Sequence, residues 1–311
     1  MRPSTVTLVL AFGISLPRVC PGQTEKSCFA FLLRGDVMVT CYSKSAQITH
    51  RGNIEGFAVG DGQSALAYTT SRVVNGTQSI AQAWFRTTVI DLKSGSARVA
   101  DGVNGALSTC GGLLSLGGPG GITPPVRDLI SGQTVAFPPY YGFRCSADRS
   151  VVAGATKGQE ALLLGLPPTT KVADARAFSL YTFNMSPDGS KIAYEAALHP
   201  LCVFAAGGTS CTAEDGSSPD APSVNDAGEV LIGVGTGKGC FYKSYYDFSP
   251  KPSPGATHET QDECLGIGYW KPGLESVKII EPLGRAPQWI RPETAELLRA
   301  WSARSATNSR K

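Results

Sequence analysis

Apolar and polar positions alternate along this chain in short bursts, and the bursts come in pairs around polar turns. In SPDGSKIAYE, residues 186–195, a turn stands directly before an alternating run. Proline presets φ at the second turn position, Asp188 can bond nearby backbone, and Gly189 tolerates positive φ. The apolar runs at 181–185 and 192–194 flank that turn, so the stretch reads as a β-hairpin. The same frame recurs at 60–68 (GDGQSALAY), 146–154 (SADRSVVAG) and 224–232 (VNDAGEVLI). A weaker copy stands at 291–299 (RPETAELLR) and a degenerate one at 107–115 (LSTCGGLLS). Neighbouring copies lie about 40 residues apart, a period typical of propeller blades.

A second hairpin follows some of these copies. Residues 82–92 (QAWFRTTVIDL) lead through Lys93-Ser94-Gly95 into 96–100, and Asp128, Ser131 and Gly132 repeat that turn in DLISGQTV, 128–135. Each unit is then a four-stranded meander, which cannot bury both faces alone but can do so when stacked radially. The expected fold is all-β, a six-bladed β-propeller of four-stranded antiparallel blades. Residues 29–33 and 37–42 read as outer strands with no turn frame before them, while 285–301 reads as an inner hairpin with no outer strands after it. One composite blade closed by both chain ends follows, with the other blades starting near residues 54, 104, 140, 180 and 219. For 293–300 the rival is an amphipathic helix, since Ala, Leu and Glu favour helix.

The motif S-P-D-G-x-x-I-A-Y, followed by a strand and an x-D-x-x-S/T-G turn, resembles the TolB-type repeat of periplasmic six-bladed β-propellers. The resemblance spans roughly residues 29–301, and only the copy at Ser186 is close to consensus. It implies the propeller fold and an extracytoplasmic compartment. It does not imply membership of the Tol system.

With 311 residues, 42% hydrophobic and 17% charged, the chain can bury a substantial core. Its 36 glycines and 21 prolines suit many short strands joined by turns. A net charge of +3 without a basic, aromatic-interleaved stripe argues against a nucleic-acid partner. At the N-terminus, Met1-Arg2 precedes an apolar run at 6–16 that is too short to span a bilayer. Residues 1–22 read as a signal peptide, with a buried strand as the rival. A lipid anchor on Cys20 would need small residues where Pro17, Arg18 and Val19 stand. A single propeller domain over 23–303 and a flexible basic tail over 304–311 complete the division, with no membrane span and a monomer expected.

Of nine cysteines, removal of the leader takes Cys20 and leaves eight, an even number suited to disulfides in an oxidising compartment. Pairing by sequence neighbours gives Cys28–Cys41, Cys110–Cys145, Cys202–Cys211 and Cys240–Cys264. A periplasmic or secreted location follows. There is no CxxC, and His50, His199 and His258 are scattered, so neither a metal site nor a cofactor is expected.

No G-x-S-x-G elbow, H-E-x-x-H or P-loop is present. The glycine runs at 117–121 and 233–237 do not stand at strand-to-helix junctions. Aspartates 61, 148, 188 and 226 fall where hairpin turns favour Asp, so turn chemistry explains them better than calcium. Ligands of propellers sit at the mouth of the central channel, and the inner-strand positions there are Phe57, Arg144, Asn184, Ser223 and Trp289. Arg144 offers a planar fork and Trp289 an apolar platform, with ordinary strand packing as the rival. A second surface is the loop between Cys240 and Cys264, which carries Tyr242, Tyr245, Tyr246 and Phe248.

The function expected is non-enzymatic binding of a protein partner or small molecule. One alternative is a propeller enzyme (a hydrolase, a lyase or a quinone-dependent sugar dehydrogenase) using His50, Arg144 and His199 at the channel mouth. Another is a carbohydrate-binding propeller.

Overall fold

A computed structural model describes residues 27–60, 62–72, 84–100, 107–110, 112–115, 126–135, 141–155, 161–164, 170–174, 183–195, 200–215, 222–235 and 265–308. The expected leader, the loop carrying Tyr242, Tyr245, Tyr246 and Phe248, and Cys240, Cys264, His199 and His258 lie outside these residues.

The alternating runs become strands, and the described strands form six four-stranded antiparallel sheets. In the first, β1 (Cys28–Leu33), β2 (Asp36–Cys41) and β3 (Lys44–Gln47) are joined by the last strand of the chain, β24 (Arg285–Ile290), in the order β24-β1-β2-β3. The second runs β4 (Ile54–Gly60), β5 (Ala65–Arg72), β6 (Trp84–Asp91) and β7 (Ala97–Ala100). The third holds β8 (Leu107–Ser108), β9 (Leu114–Ser115), β10 (Val126–Asp128) and β11 (Thr134–Val135). The fourth holds β12 (Tyr141–Cys145), β13 (Val152–Ala155), β14 (Ala161–Leu164) and β15 (Thr170–Asp174). The fifth holds β16 (Phe183–Met185), β17 (Ile192–Glu195), β18 (Pro200–Ala205) and β19 (Gly208–Asp215). The sixth holds β20 (Ser223–Val224), β21 (Val230–Gly235), β22 (Leu265–Trp270) and β23 (Lys278–Glu281).

The core is divided into six clusters, and each lies between two sheets. Phe183, Met185 and Ile192 of the fifth sheet meet Ala153 and Val172 of the fourth. Ala58, Ala67 and Val89 meet Leu113 and Leu129. Phe29 and Phe31 of the first sheet meet Leu231, Ile267 and Tyr269 of the sixth. The remaining clusters join the first sheet to the second, the third to the fourth and the fifth to the sixth. No sheet buries its faces without neighbours, as the meander pattern demanded.

Polar links repeat that order. The Gln288 side chain acts as a surrogate backbone: its Nε2 donates to Val59 O at 2.8 Å and its Oε1 accepts from Val59 N at 2.9 Å. Gln63 Oε1 accepts from Leu113 N at 2.7 Å, tying the second sheet to the third. Cys110–Cys145 joins the third to the fourth, beside an Arg149–Asp128 ion pair at 3.1 Å. Ala147 N donates to Pro187 O at 2.6 Å, and Asp188 N to Asp226 Oδ1 at 2.9 Å. Trp289 N donates to Ser223 Oγ at 2.9 Å and its indole N–H to Glu229 O at 3.1 Å, so the sixth sheet meets the first.

Three of the expected disulfides are formed. Cys28–Cys41 and Cys202–Cys211 cross paired strands within a sheet, and Cys110–Cys145 bridges two sheets.

The two chain ends differ from expectation in one respect. Residues 293–300 are not a strand: α1 (Pro292–Asn308) is a helix. Pro292 takes the first helical position, where a missing N–H costs nothing. Ala295 and Leu298 are buried, with Leu297 and Trp301 packed beside them on the first core cluster. The helix reaches Asn308, through the first residues of the stretch expected as a tail. The composite sheet therefore takes one C-terminal strand and three N-terminal ones rather than two of each. The extra strand, β3, is KSAQ, which carries no apolar alternation to read. Tyr42 and Ser43 link it to β2 with φ of 52° and 62°, the positive values of a tight two-residue hairpin turn.

The turn aspartates do what turn chemistry requires. Asp188 Oδ1 accepts from Ser186 Oγ at 2.6 Å and from Ser190 N at 2.9 Å, and Asp148 repeats both bonds with Ser146 and Ser150 at the same distances. Gly189 stands at φ 75°, while Arg149 occupies the matching place at φ 64°. A non-glycine residue is strained there. Its guanidinium uses the position to reach Asp128 and Cys110 O in the next sheet.

These bonds set a pH dependence. The Ser146 hydroxyl and the Ser150 N–H hold Asp148 down from 3.8 to about 2. Burial pushes Asp188 up, but Ser186 and Ser190 outweigh it and hold that carboxyl at about 2 as well. Asp91 is lowered by the N–H groups of Ser94 and Lys93, and in Asp128 those of Ser131 and Ile130 outweigh burial. A carboxyl depressed on folding contributes stability above its unfolded value and loses it as pH falls through the folded value. Asp226, raised by burial, works in the opposite sense. The thermal midpoint should therefore fall as pH is lowered from 3.8 towards 2, and Asp148→Asn should flatten part of that fall. Scanning calorimetry at stepped pH checks this; a midpoint constant across that window would contradict it.

Candidate functional site

The first strands of the sheets, β24, β4, β8, β12, β16 and β20, carry the residues expected at the channel mouth. Their register places Arg144, Asn184 and Ser223 alike: Arg144 pairs Ala153, Asn184 pairs Ala193 and Ser223 pairs Leu231, each two residues before the turn residue Ser146, Ser186 or Asn225. Phe57 is one place away from this position. Ala58, which pairs Ala67, occupies it, and the bulge between Ile54 and Gly56 shows how irregular this strand is.

Most of these side chains are spent on packing. Phe57 rests on the core cluster between the first two sheets. Ser223 is buried, and its hydroxyl accepts the Trp289 N–H. Trp289 has given its indole N–H to Glu229 O, and its ring meets Phe29 edge-on at 6.3 Å between centroids. It is a joint, not a platform.

Arg144 and Asn184 differ. Both are half-buried. Arg144 Nη1 donates to the Phe143 carbonyl at 2.8 Å, and the guanidinium lies 5.4 Å from the centroid of the Phe183 ring. Among the described residues no carboxylate pairs with it; the one ion pair found there is Arg149–Asp128. Surrounding protein lowers Arg144 to about 10, so it stays a cation at neutral pH. Asn184 Oδ1 accepts the Met185 N–H at 2.9 Å. That bond assigns the oxygen and leaves the amide nitrogen as a donor.

A buried network lies near this position in the sixth sheet. Glu229 accepts from Tyr269 Oη and from Asn225 Nδ2, both at 2.8 Å. Burial, and then the Glu229 carboxylate, push the Tyr269 hydroxyl up. Glu229 went unread in the sequence because it stands in a turn copy, GEVLI, where a glutamate looks solvent-facing. Its spacing before the alternating run is the same as that of Lys191, which is why the pattern could not separate them.

Chemistry by convergent histidine and arginine gains no support from the described residues. His50 is exposed in the connection between β3 and β4, whereas Arg144 is on β12 in the fourth sheet. Among the described residues no three His, Cys, Asp or Glu side chains gather as a metal site. No described helix is long and apolar enough to cross a membrane.

No protein-family model matches the chain, and no curated protein matches it. Solved structures do. TolB from Acinetobacter baumannii superposes with a TM-score of 0.54 at 15% identity, over 85% of this chain and 66% of that one. The chain thus spans just under two thirds of TolB's length. A chain of a nidogen–laminin complex superposes with a TM-score of 0.52 at 7% identity, over 85% of this chain and 98% of that one. The fold is a β-propeller. The likeness to TolB is one of fold.

Proposed function

We propose that this chain is an exported, six-bladed β-propeller, closed by its composite first sheet, that binds a ligand or protein partner and performs no chemistry of its own. Six sheets and six joints, one of them linking the sixth sheet to the first, support the blade number and the closure. Three disulfides and the apolar leader at 6–16 support an extracytoplasmic site of action. The structural neighbours lend the fold and nothing further, since one fold hosts many functions. The observation that carries the binding reading is Arg144. A cation on an inner strand, held by a carbonyl and a phenyl ring with no described carboxylate beside it, leaves hydrogen-bonding capacity for something else.

The test is capture. The oxidised chain from Gln23 onward, recovered from its own host's extracytoplasmic fraction, is examined by native mass spectrometry. A parallel chain lacks residues 242–263. A small molecule retained by both chains places binding on the inner strands, and a protein retained only by the intact chain places it on the loop. Recovery of neither would count against the binding reading and turn attention to enzymatic turnover of metals, quinones and sugars.

A further inference from the structure

Arg144 and Asn184 hold the same register place on neighbouring first strands, β12 and β16. The two strands also touch directly. The guanidinium lies over Phe183, the residue immediately before Asn184, so it leans towards the strand that carries the amide. At the equivalent places Ser223 and Trp289 are bonded to one another across the joint, and Ala58 has no polar group. Among the places compared on β4, β12, β16, β20 and β24, the donors without a described partner are on two adjacent strands, β12 and β16.

Among the described residues, the groups left without a partner there are mainly donors. One Arg144 nitrogen is held by Phe143 O, which leaves the remaining N–H groups of the fork. Asn184 Oδ1 accepts the Met185 N–H, which orients the amide so that its NH₂ is the free end, with no partner among the described residues. A site with one fixed positive charge, a planar fork and an adjacent amide NH₂ matches a singly charged planar oxyanion. A neutral ligand would leave the fixed charge without a counter-charge. A fully ionised phosphate would bring more charge than one arginine balances.

From this juxtaposition of Arg144 and Asn184 we infer a carboxylate-binding subsite on the inner strands between the fourth and fifth sheets. It rests on the binding reading above and narrows it: the ligand presents a free carboxylate, either that of a small organic acid or the C-terminus of a peptide.

Acetate is the first probe and acetamide its neutral counterpart, titrated into the oxidised chain at fixed ionic strength against chloride and followed by saturation-transfer NMR. Trialanine with a free or an amidated C-terminus separates a peptide end from a small acid. Acetate should bind and acetamide should not. Arg144→Gln should weaken acetate by about tenfold or more, the worth of a charge-assisted hydrogen bond. Asn184→Asp supplies the site with its own carboxylate, so it should abolish acetate binding and raise the thermal midpoint. That second variant gains stability, which separates loss of a site from loss of fold. Equal acetate binding by wild type and Arg144→Gln, or a lowered midpoint in Asn184→Asp, would overturn the assignment. A ligand captured from the host equally by wild type and Arg144→Gln would also remove the carboxylate subsite while leaving the binding reading intact. Absence of both acetate binding and any captured ligand would remove both.

Discussion

A chain ending at Gly284 should lose its cooperative unfolding transition, whereas one ending at Arg291 should keep it at a lower midpoint. The two truncations differ by one strand, β24, and that strand has no substitute. It pairs with β1 through Cys28↔Ile290, Phe29↔Trp289 and Ala30↔Gln288, so without it a buried edge of β1 is left bare. Gln288 also supplies both bonds to Val59, and Trp289 those to Ser223 and Glu229. The first sheet would be detached from both neighbours at once. Losing α1 alone is milder. It uncovers the cluster around Ile48, Val39 and Leu92 on which Ala295, Leu298 and Trp301 pack. It also removes three clasps: Arg299 to Lys44 O, Ser302 to Gln47 O and Arg304 to Leu92 O. Exposing one large and several small apolar groups costs about 3 kcal/mol or more. Urea unfolding followed by far-UV circular dichroism checks both. A sharp transition of unchanged midpoint in the chain ending at Gly284 would show that β24 is dispensable.

The internal blades were legible because their signal is local. A Ser-x-Asp turn, an alternating run and an Asp-x-x-Ser-Gly turn each have a chemical cause within a few residues, and Asp188 and Asp148 show the same bonds. Cys28–Cys41 and Cys202–Cys211 join strands paired in a meander, whereas Cys110–Cys145 joins neighbouring sheets, and all three pair cysteines adjacent in sequence order. The chain ends were harder because their structure depends on partners far away in sequence. RPETAELLR satisfies the turn frame by its proline and also satisfies a helix start, and length decides between them: α1 spans 17 residues, too long for a blade strand. KSAQ forms a strand because β2 offers it an edge, not because of its own pattern.

The turn frame places candidate residues on strands but does not say which of their side chains are spent on packing. It points to nearby places on successive first strands, and Arg144, Asn184 and Ser223 share one register there. It missed Ala58 by one place because a bulge in β4 is invisible to alternation. Which of these side chains is spent on packing depends on what stands opposite in the next sheet. Trp289 faces Glu229 O and Ser223 and is satisfied, while Arg144 faces a phenyl ring and one carbonyl and has no carboxylate partner among the described residues. Neighbouring blades, rather than the strand itself, decide which inner-strand groups remain available to a ligand.

The second large effect is expected far from that site. Asp36→Ala should destabilise the chain by about 3 kcal/mol, since one buried donor, the Thr49 hydroxyl, and three part-buried ones lose their acceptor, at about 1–3 kcal/mol for a buried group and less for the others. Asp36 is 7% exposed and holds the segment that carries the chain from the first sheet to the second. Its Oδ1 accepts from Thr49 Oγ at 2.8 Å, from Arg51 N at 2.6 Å and from Gly52 N at 3.3 Å, and its Oδ2 accepts from Gln47 Nε2 at 3.0 Å. Thr49 in turn accepts the Val37 N–H at 2.9 Å. The backbone there is tightly seated: a Cβ on Gly35, whose φ is 71°, would stand 2.5 Å from the carbonyl carbon of Gly52. The segment therefore cannot shift towards the β1–β2 turn to find other acceptors for Arg51 and Gly52. Asp36→Asn keeps one acceptor oxygen for the Thr49 and backbone donors and turns a donor on Gln47, so its loss should be nearer 1–2 kcal/mol. Gly35→Ala should match the alanine variant at position 36, because it combines a left-handed backbone with a clash against main chain that cannot yield. Equilibrium urea unfolding of the three variants tests the ranking. An Asp36→Ala chain within about 0.5 kcal/mol of wild type, the range of an ordinary surface substitution, would mean that water replaces the carboxylate and that the segment is not held in the way its bonds indicate.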